Sequence, residues 1–245
     1  RSDSMKRTFK QMMMLLFAAL MLAQCAQHED KTLRIRGKLT GVKDSLLFAI
    51  TGVENGEPVF KDTTVCTKNG EFDLTISLDS VCLMEVIDGA NDRNHRYVGF
   101  YALAVPGEEM ILEGDINKGW RFGGSEVYRQ LNEVEKAIQP VNLEMRQMAQ
   151  QFDSLVHCKE FTEELEKQYS ERGVTLYNKL EATAFVFAKM HPNMEATVIL
   201  INYLDVDAAK KLVKLLHPSV LKGRMKSFVD PRINLPSMQT VPYDE

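Results

Sequence analysis

The residues with the most capacity for chemistry are four cysteines and five histidines, and their spacing restricts what they can do. No Cys-x-x-Cys occurs, and Cys66, Cys82 and Cys158 stand far apart, so the chain lacks the paired thiols of a dithiol redox centre. Cys66 ends one predicted strand, while Cys82 sits in the apolar run Val81-Cys82-Leu83-Met84; both positions suit core packing. A structural disulfide Cys66–Cys82 becomes available if those two strands are neighbours. His157-Cys158 are adjacent, and adjacent residues on a helix point about 100° apart, so the pair reads as a solvated helix end. His28, His95, His157, His191 and His217 include no i,i+3 or i,i+4 pair, and no cysteine stands at finger spacing. His191 and His217 each precede a proline, as helix-terminating residues do. Gly119-Trp120-Arg121-Phe122-Gly123-Gly124-Ser125 lacks the Gly-Lys-Ser/Thr ending of a phosphate loop and reads as a Gly-rich joint between strand and helix. Gly-x-Ser-x-Gly is absent. Helical carboxylates, Glu135 and Glu144 among them, fall where solvated faces are expected. No catalytic residue, cofactor or metal is predicted.

One aromatic group has two readings. Tyr97, Phe100, Tyr101, Trp120 and Phe122 come from strands and joints near the point where the pattern turns helical. They either line a groove for a peptide or partner domain, or form the core between two layers.

The N-terminus carries an address. Met5-Lys6-Arg7-Thr8-Phe9-Lys10 is basic, Met12 to Leu22 is apolar, and Leu22-Ala23-Gln24-Cys25 follows. That is an export signal, too short to span a bilayer, which needs roughly 20 residues. The segment resembles the lipobox of bacterial lipoproteins, in which the cysteine is acylated and becomes the first mature residue. Gln24 departs from it, standing where Gly, Ala or Ser is usual. The alternative is an ordinary cleaved signal with an incidental cysteine. Arg1 to Ser4, ahead of Met5, read as a tag scar or an upstream mis-start. Residues 1–24 are thus expected to be removed, with lipidation at Cys25 and a tether over 25–31. Losing Arg1, Lys6, Arg7, Lys10 and Asp3 leaves 26 basic and 33 acidic residues, a net charge of about −7 against −4 for the whole chain. A mildly acidic chain with no basic stripe is not expected to bind nucleic acid.

The elements that would position these residues fall into two regions. Over 32–122 the pattern is strand-like: Leu33 to Gly37, Ser45 to Thr51, Val59 to Thr67, Glu71 to Ser77, Val81 to Ile87, Tyr97 to Val105 and Met110 to Asp115. Phe72, Leu74 and Ile76 share one face; Glu71, Asp73 and Thr75 take the other. Asn55-Gly56 offers a tight turn, and Lys68-Asn69-Gly70 predicts a hairpin joining the strands on either side. Pro106-Gly107 predicts another turn. Seven or eight such strands without intervening helices predict an antiparallel β-sandwich or partial barrel.

Residues 123–229 are helical. Ser125 is a candidate N-cap, with Glu126 near the positive end of the dipole. Val127, Leu131, Val134, Ile138, Val141, Met145, Met148, Phe152 and Leu155 repeat at alternating steps of four and three, a seam that calls for a packed partner helix. Pro140 should kink or split that helix. The partner is predicted over Phe161 to Met190, with Leu165, Tyr169, Leu176, Leu180 and Phe187 inward, ended by His191-Pro192-Asn193. Short helices are predicted over Met194 to Leu204, Val206 to Leu216 and Ser219 to Phe228, and residues 230–245 read as a linker or tail. The class is α+β: the β domain, then an all-helical domain built on a long helical hairpin.

Several short motifs occur in a fixed order: Arg36-Gly37-Lys38-Leu39, Lys61-Asp62-Thr63-Thr64 before Lys68-Asn69-Gly70-Glu71-Phe72, Val105-Pro106-Gly107-Glu108 before Gly114-Asp115, Gly124-Ser125-Glu126 and His191-Pro192-Asn193. In that order the chain resembles, over about residues 32–228, a bacterial domain family of unknown function. That family sits N-terminal to TlpA-like thiol–disulfide oxidoreductases of the thioredoxin/AhpC-TSA type in Gram-negative envelopes. The resemblance implies the architecture and the location. It implies no oxidoreductase activity, because the Trp-Cys-x-x-Cys domain that would follow Asp230 is absent from this sequence.

The expectation is a non-enzymatic envelope lipoprotein, lipid-anchored to the outer membrane and acting as a binding or interaction module. The alternative is the regulatory or dimerising half of a TlpA-like oxidoreductase. Expected partners are the membrane through the anchor, another protein or a thioredoxin-like domain, and a second copy through the helical hairpin.

Overall fold

The structure, a computed structural model, describes residues 31–54, 56–89, 98–158 and 162–234. Cys25, His28, the segment read as an export signal, Tyr97, His95 and residues 235–245 of the expected tail lie outside the described residues.

Eight strands form two four-stranded sheets: β1 (Thr32–Thr40), β2 (Ser45–Glu54), β3 (Glu57–Cys66), β4 (Glu71–Ser77), β5 (Cys82–Asp88), β6 (Gly99–Ala104), β7 (Glu109–Asp115) and β8 (Gly119–Gly124). The first sheet runs β4-β1-β7-β8 and the second β3-β2-β5-β6. Alternation drives Leu33, Ile35 and Leu39 of β1, Phe48 and Ile50 of β2, and Phe72 and Ile76 of β4 into one buried layer, while Glu71, Asp73 and Thr75 stay exposed. Phe48 and Phe72 meet across that layer with ring centroids 5.8 Å apart.

The helices are α1 (Glu126–His157), α2 (Glu163–Met190), α3 (Val206–Val213), α4 (Pro218–Lys222) and α5 (Lys226–Ile233), with a 3-10 segment over Glu195–Tyr203 between α2 and α3. The α+β class and the long helical hairpin therefore stand. Phe152 of α1 meets Tyr169 of α2 edge-on at 5.4 Å, and Glu144 reaches Arg172 and Lys179 across the hairpin at 3.6 and 3.7 Å. Pro140 lies within α1 without dividing it. One hydrophobic core runs from Leu33 to Val229, so strands and helices share it. Strand β5 is buried on both faces as a result, which is why it reads as a nearly continuous apolar run.

Four expectations change. Lys68-Asn69-Gly70 does make a turn: Asn69 and Gly70 both have positive φ, and Lys68 and Glu71 exchange backbone hydrogen bonds. The ladder stops there, because β3 and β4 belong to different sheets and the turn is a corner between them. The hairpin proper joins β2 to β3, where Glu54 pairs with Glu57 and Gly56 has positive φ. Second, β1 and β7 pair in parallel, so the first sheet is mixed rather than antiparallel. The crossing at Pro106-Gly107 brings the chain from the second sheet back beside β1, and Gly37 lets β7 approach: a Cβ there would sit 1.8 Å from the Leu112 carbonyl oxygen. Third, Gly119–Gly124 is a full strand, paired with β7 from Met110–Gly124 to Asp115–Gly119, rather than a joint. Fourth, α5 carries helical structure past Asp230 to Ile233.

Candidate functional site

Helix α1 carries two heptad stripes, offset by one residue. Val127, Leu131, Val134, Ile138 and Val141 of the apolar stripe are buried. Tyr128, Asn132, Glu135, Gln139, Asn142 and Arg146 form the second, at steps of four, three, four, three and four. This polar stripe does the work of a missing strand. Asn132 Oδ1 accepts from the Phe122 N–H of β8 at 3.0 Å, and Gln139 donates to the Trp120 carbonyl at 3.0 Å. The Tyr128 hydroxyl donates to the Leu103 carbonyl of β6 at 3.1 Å and accepts from the Val105 N–H at 3.3 Å. Arg146 donates to the carbonyls of Ile116 at 2.7 Å and of Gly99. Just off the stripe, Arg129 donates to the Gly124 carbonyl at 2.5 Å. The edge strands β6 and β8 are thus sealed by one helix.

Glu135 overturns the solvated-face expectation, being only 1% exposed. Burial pushes its carboxyl up to about 8, against opposing help from Gln139, Arg146 and Trp120. Gln139 Nε2 reaches its Oε2 at 3.5 Å. The Trp120 indole lies near enough to favour the ionised form, yet Trp120 Nε1 and Glu135 Oε1 are both buried without a hydrogen-bond partner. Burial likewise raises the Tyr128 hydroxyl.

Below this stripe the hairpin and the sheet edges part, leaving a groove of about 1190 Å³. Phe100 and Tyr101 of β6, Trp120 of β8, residues 145–154 of α1, Tyr177 and Leu180 of α2, and Tyr203 line it. Met145, Met148 and Phe152 belong to the apolar seam, but here they are only half-buried: Met148 and Phe152 lie against α2 at Gly173 and Tyr169, and all three border the groove. Trp120 stacks on Phe100 at 4.0 Å and 13°, and the Arg146 guanidinium lies 5.3 Å from the indole centroid. Tyr101 meets Tyr203 edge-on at 6.0 Å. Tyr177 donates to Asp205, the N-cap of α3, at 3.2 Å.

Of the five aromatics singled out from sequence, Phe100, Tyr101 and Trp120 line this groove. Phe122 does not, and the core reading holds for most of the group: Phe100 (4% exposed), Trp120 (6%) and Phe122 (4%) are all core residues, with Phe122 packed edge-on to Phe100. Of the three that line the groove, only Tyr101 is more than marginally exposed. Tyr97 lies outside the described residues. Cys66 and Cys82 are both free; Cys82 is buried as expected, but Cys66 is exposed on the outward-facing side of edge strand β3 rather than packed in the core, and β2 runs between their strands. Cys66 pairs with Ser45 at one end of β2, while Cys82 lies beyond the Thr51–Leu83 pair at the other, so the conditional disulfide is ruled out by register. Burial raises the Cys82 thiol. His157 and Cys158 are exposed at the end of α1, as expected. His217 starts a helix rather than ending one, accepting from the Ser219 N–H at 3.2 Å. Among the described residues no three His, Cys, Asp or Glu side chains gather as for a metal ion.

No family model and no curated protein matches this chain. A solved structure described as "Crystal Structure of Gram Negative Toxin" is similar over 39% of this chain at 15% identity, with a TM-score of 0.24. The match spans 22% of that chain.

Proposed function

We propose that this chain is a non-enzymatic binding module of the cell envelope, held there by a lipidated Cys25, and that its groove takes an apolar, aromatic-bearing segment of a partner protein. One observation carries the reading: half-buried Tyr101, Met145, Met148 and Phe152 line the groove above the stacked and nearly buried rings of Phe100 and Trp120. Aromatic and methionine side chains supply apolar area that adapts to varied partners. A volume of about 1190 Å³ suits several residues of a polypeptide. Arg146 is committed to backbone carbonyls and the Trp120 ring, so the floor offers shape and apolar contact more than charge.

Trp120 is the chain's one tryptophan, which makes it a built-in reporter. A synthetic extended peptide alternating Leu and Phe with Ser should produce a saturable change in its emission. Met148→Glu should weaken that binding by about tenfold or more in a chain that still folds cooperatively. No saturable change, or indifference to Met148→Glu, overturns the groove. In parallel, the chain should not accelerate insulin reduction by dithiothreitol. Turnover that disappears in Cys66→Ser, Cys82→Ala or Cys158→Ser would overturn the non-enzymatic reading.

A further inference from the structure

The two sheets have four edge strands, and they are finished very differently. Edges β6 and β8 are sealed by α1, as described above. Edge β4 is tied at one end by the Lys68–Glu71 turn, and at the other Lys61 Nζ donates to its Ser77 carbonyl at 3.2 Å. Edge β3 is a ten-residue strand. The Thr67 N–H donates to Asp44 at 2.9 Å, which fixes the parity of the ladder: odd-numbered residues bond to β2 and even-numbered ones point away. The outward N–H and C=O groups of Phe60, Asp62, Thr64 and Cys66 find no partner among the described residues. Phe60 is also 79% exposed, the most exposed large apolar side chain described.

We propose that β3 is a self-pairing edge, and that its occupant is the β3 of a second copy, running antiparallel about a twofold centred on Thr63. The sequence is self-complementary only in that register. Phe60 then stands opposite the second copy's Cys66 position, Asp62 opposite Thr64, Lys61 opposite Val65, and Thr63 opposite itself. No like charges oppose one another, and the Thr–Thr pair at the axis is a favourable one. The outward backbone groups of Phe60, Asp62, Thr64 and Cys66 on both strands are satisfied. Pro58, which has no N–H to give, falls outside the paired stretch. Centring on Asp62 would instead set Asp62 against itself and bring Pro58 opposite Cys66. Centring on Thr64 would require the Lys68 N–H, already donated to Glu71. The pairing joins the second sheets of two copies into one continuous sheet and buries Phe60 at its seam. It is independent of the groove, which lies at the opposite edge of the same sheet.

Cross-linking reads out both the contact and its register. The full chain would carry Cys25→Ser, Cys66→Ser, Cys82→Ala and Cys158→Ser, with single cysteines introduced as Asp62→Cys, Thr63→Cys or Thr64→Cys. Thr63 sits at a non-hydrogen-bonded pair, whose Cα atoms approach to about 4.5 Å, within disulfide range. Under dilute copper–phenanthroline oxidation Thr63→Cys should give the covalent dimer, about tenfold more than the other two positions. Adding Thr64→Pro, which removes an outward N–H and leaves the β2 ladder intact, should abolish it. Phe60→Asp, a change at an exposed side chain, should do the same and serves if Thr64→Pro fails to fold. Cross-linking strongest at position 62 or 64, or a Thr63→Cys dimer indifferent to both variants, overturns the proposal. A chain that stays monomeric and uncross-linked also overturns it, and assigns the edge to an extended segment of another protein.

Discussion

Trp120 and Glu135 lie against each other where β8 meets α1, and each leaves a buried polar atom, Nε1 and Oε1, without a hydrogen bond. A carboxyl held up to about 8 stays protonated in the folded chain at pH values where the unfolded chain, near 4.5, has lost its proton. Its stabilising contribution is therefore complete below the unfolded value and is lost progressively as pH rises through the folded one. Glu135→Gln keeps the shape and removes the titration. Its advantage over the parent should grow between about pH 5 and pH 8, reaching a few kcal/mol at about 1.4 kcal/mol per unit of displacement. Thermal melts of the two proteins across that range measure it; curves that stay parallel would refute the assignment.

Ile138 is fully buried, and Ile138→Asp should cost roughly 3–5 kcal/mol as an unpaired charge in an apolar contact. Glu144→Ala removes only half-exposed ion pairs to Arg172 and Lys179 and should stay within about 1 kcal/mol. Denaturant titrations of both variants decide it: equal stabilities would mean that the seam is not internal.

Asn132 supplies the acceptor for the Phe122 N–H at the β8 edge. Asn132→Ala should cost about 1–3 kcal/mol by leaving that donor unmatched, and Asn132→Asp, which still accepts, should recover part of the loss. Amide exchange at Phe122 is the local readout. Unchanged protection in Asn132→Ala would show that the helix does not seal the edge through this contact.

Lipidation at Cys25 should make a fatty-acid probe incorporate into the expressed protein, and Cys25→Ser should abolish the label. Labelling that survives the substitution would end the anchor proposal.

Much of the architecture was legible because its signals were periodic. Phe72, Leu74 and Ile76 alternate cleanly, and the stripe from Val127 to Val141 repeats with a helix's period; both went inward as read. The Gly119–Gly124 strand was illegible because three of its six residues are glycines and its outward hydrogen bonds are met by side chains from a later element. Asn69-Gly70 signals a turn, which the structure has, but not the sheet its strands join, since turn chemistry is local and strand partnership is not. Glu135 is misplaced by a reading in which charge alone signals solvent. The clue lay in its neighbours: Tyr128, Asn132, Gln139, Asn142 and Arg146 keep the same heptad step, and a polar stripe beside an apolar one marks a helix that bonds to a sheet edge. Half of the groove was visible as aromatics, but the contribution of Met145, Met148 and Phe152 was hidden within a seam that promised only helix packing.

The way α1 finishes both sheets bears on modularity. The change of period near residue 124 looks like a natural place to cut the gene in two, yet the N-terminal piece would then carry β6 and β8 with bare backbone on one flank, in addition to β3 on the other. Such a fragment has the makings of an aggregating sheet rather than a free-standing unit. Strands and first helix must therefore be inherited, transplanted or truncated together, and the seven-residue rhythm of that helix is as much a part of the β-sandwich as the strands themselves.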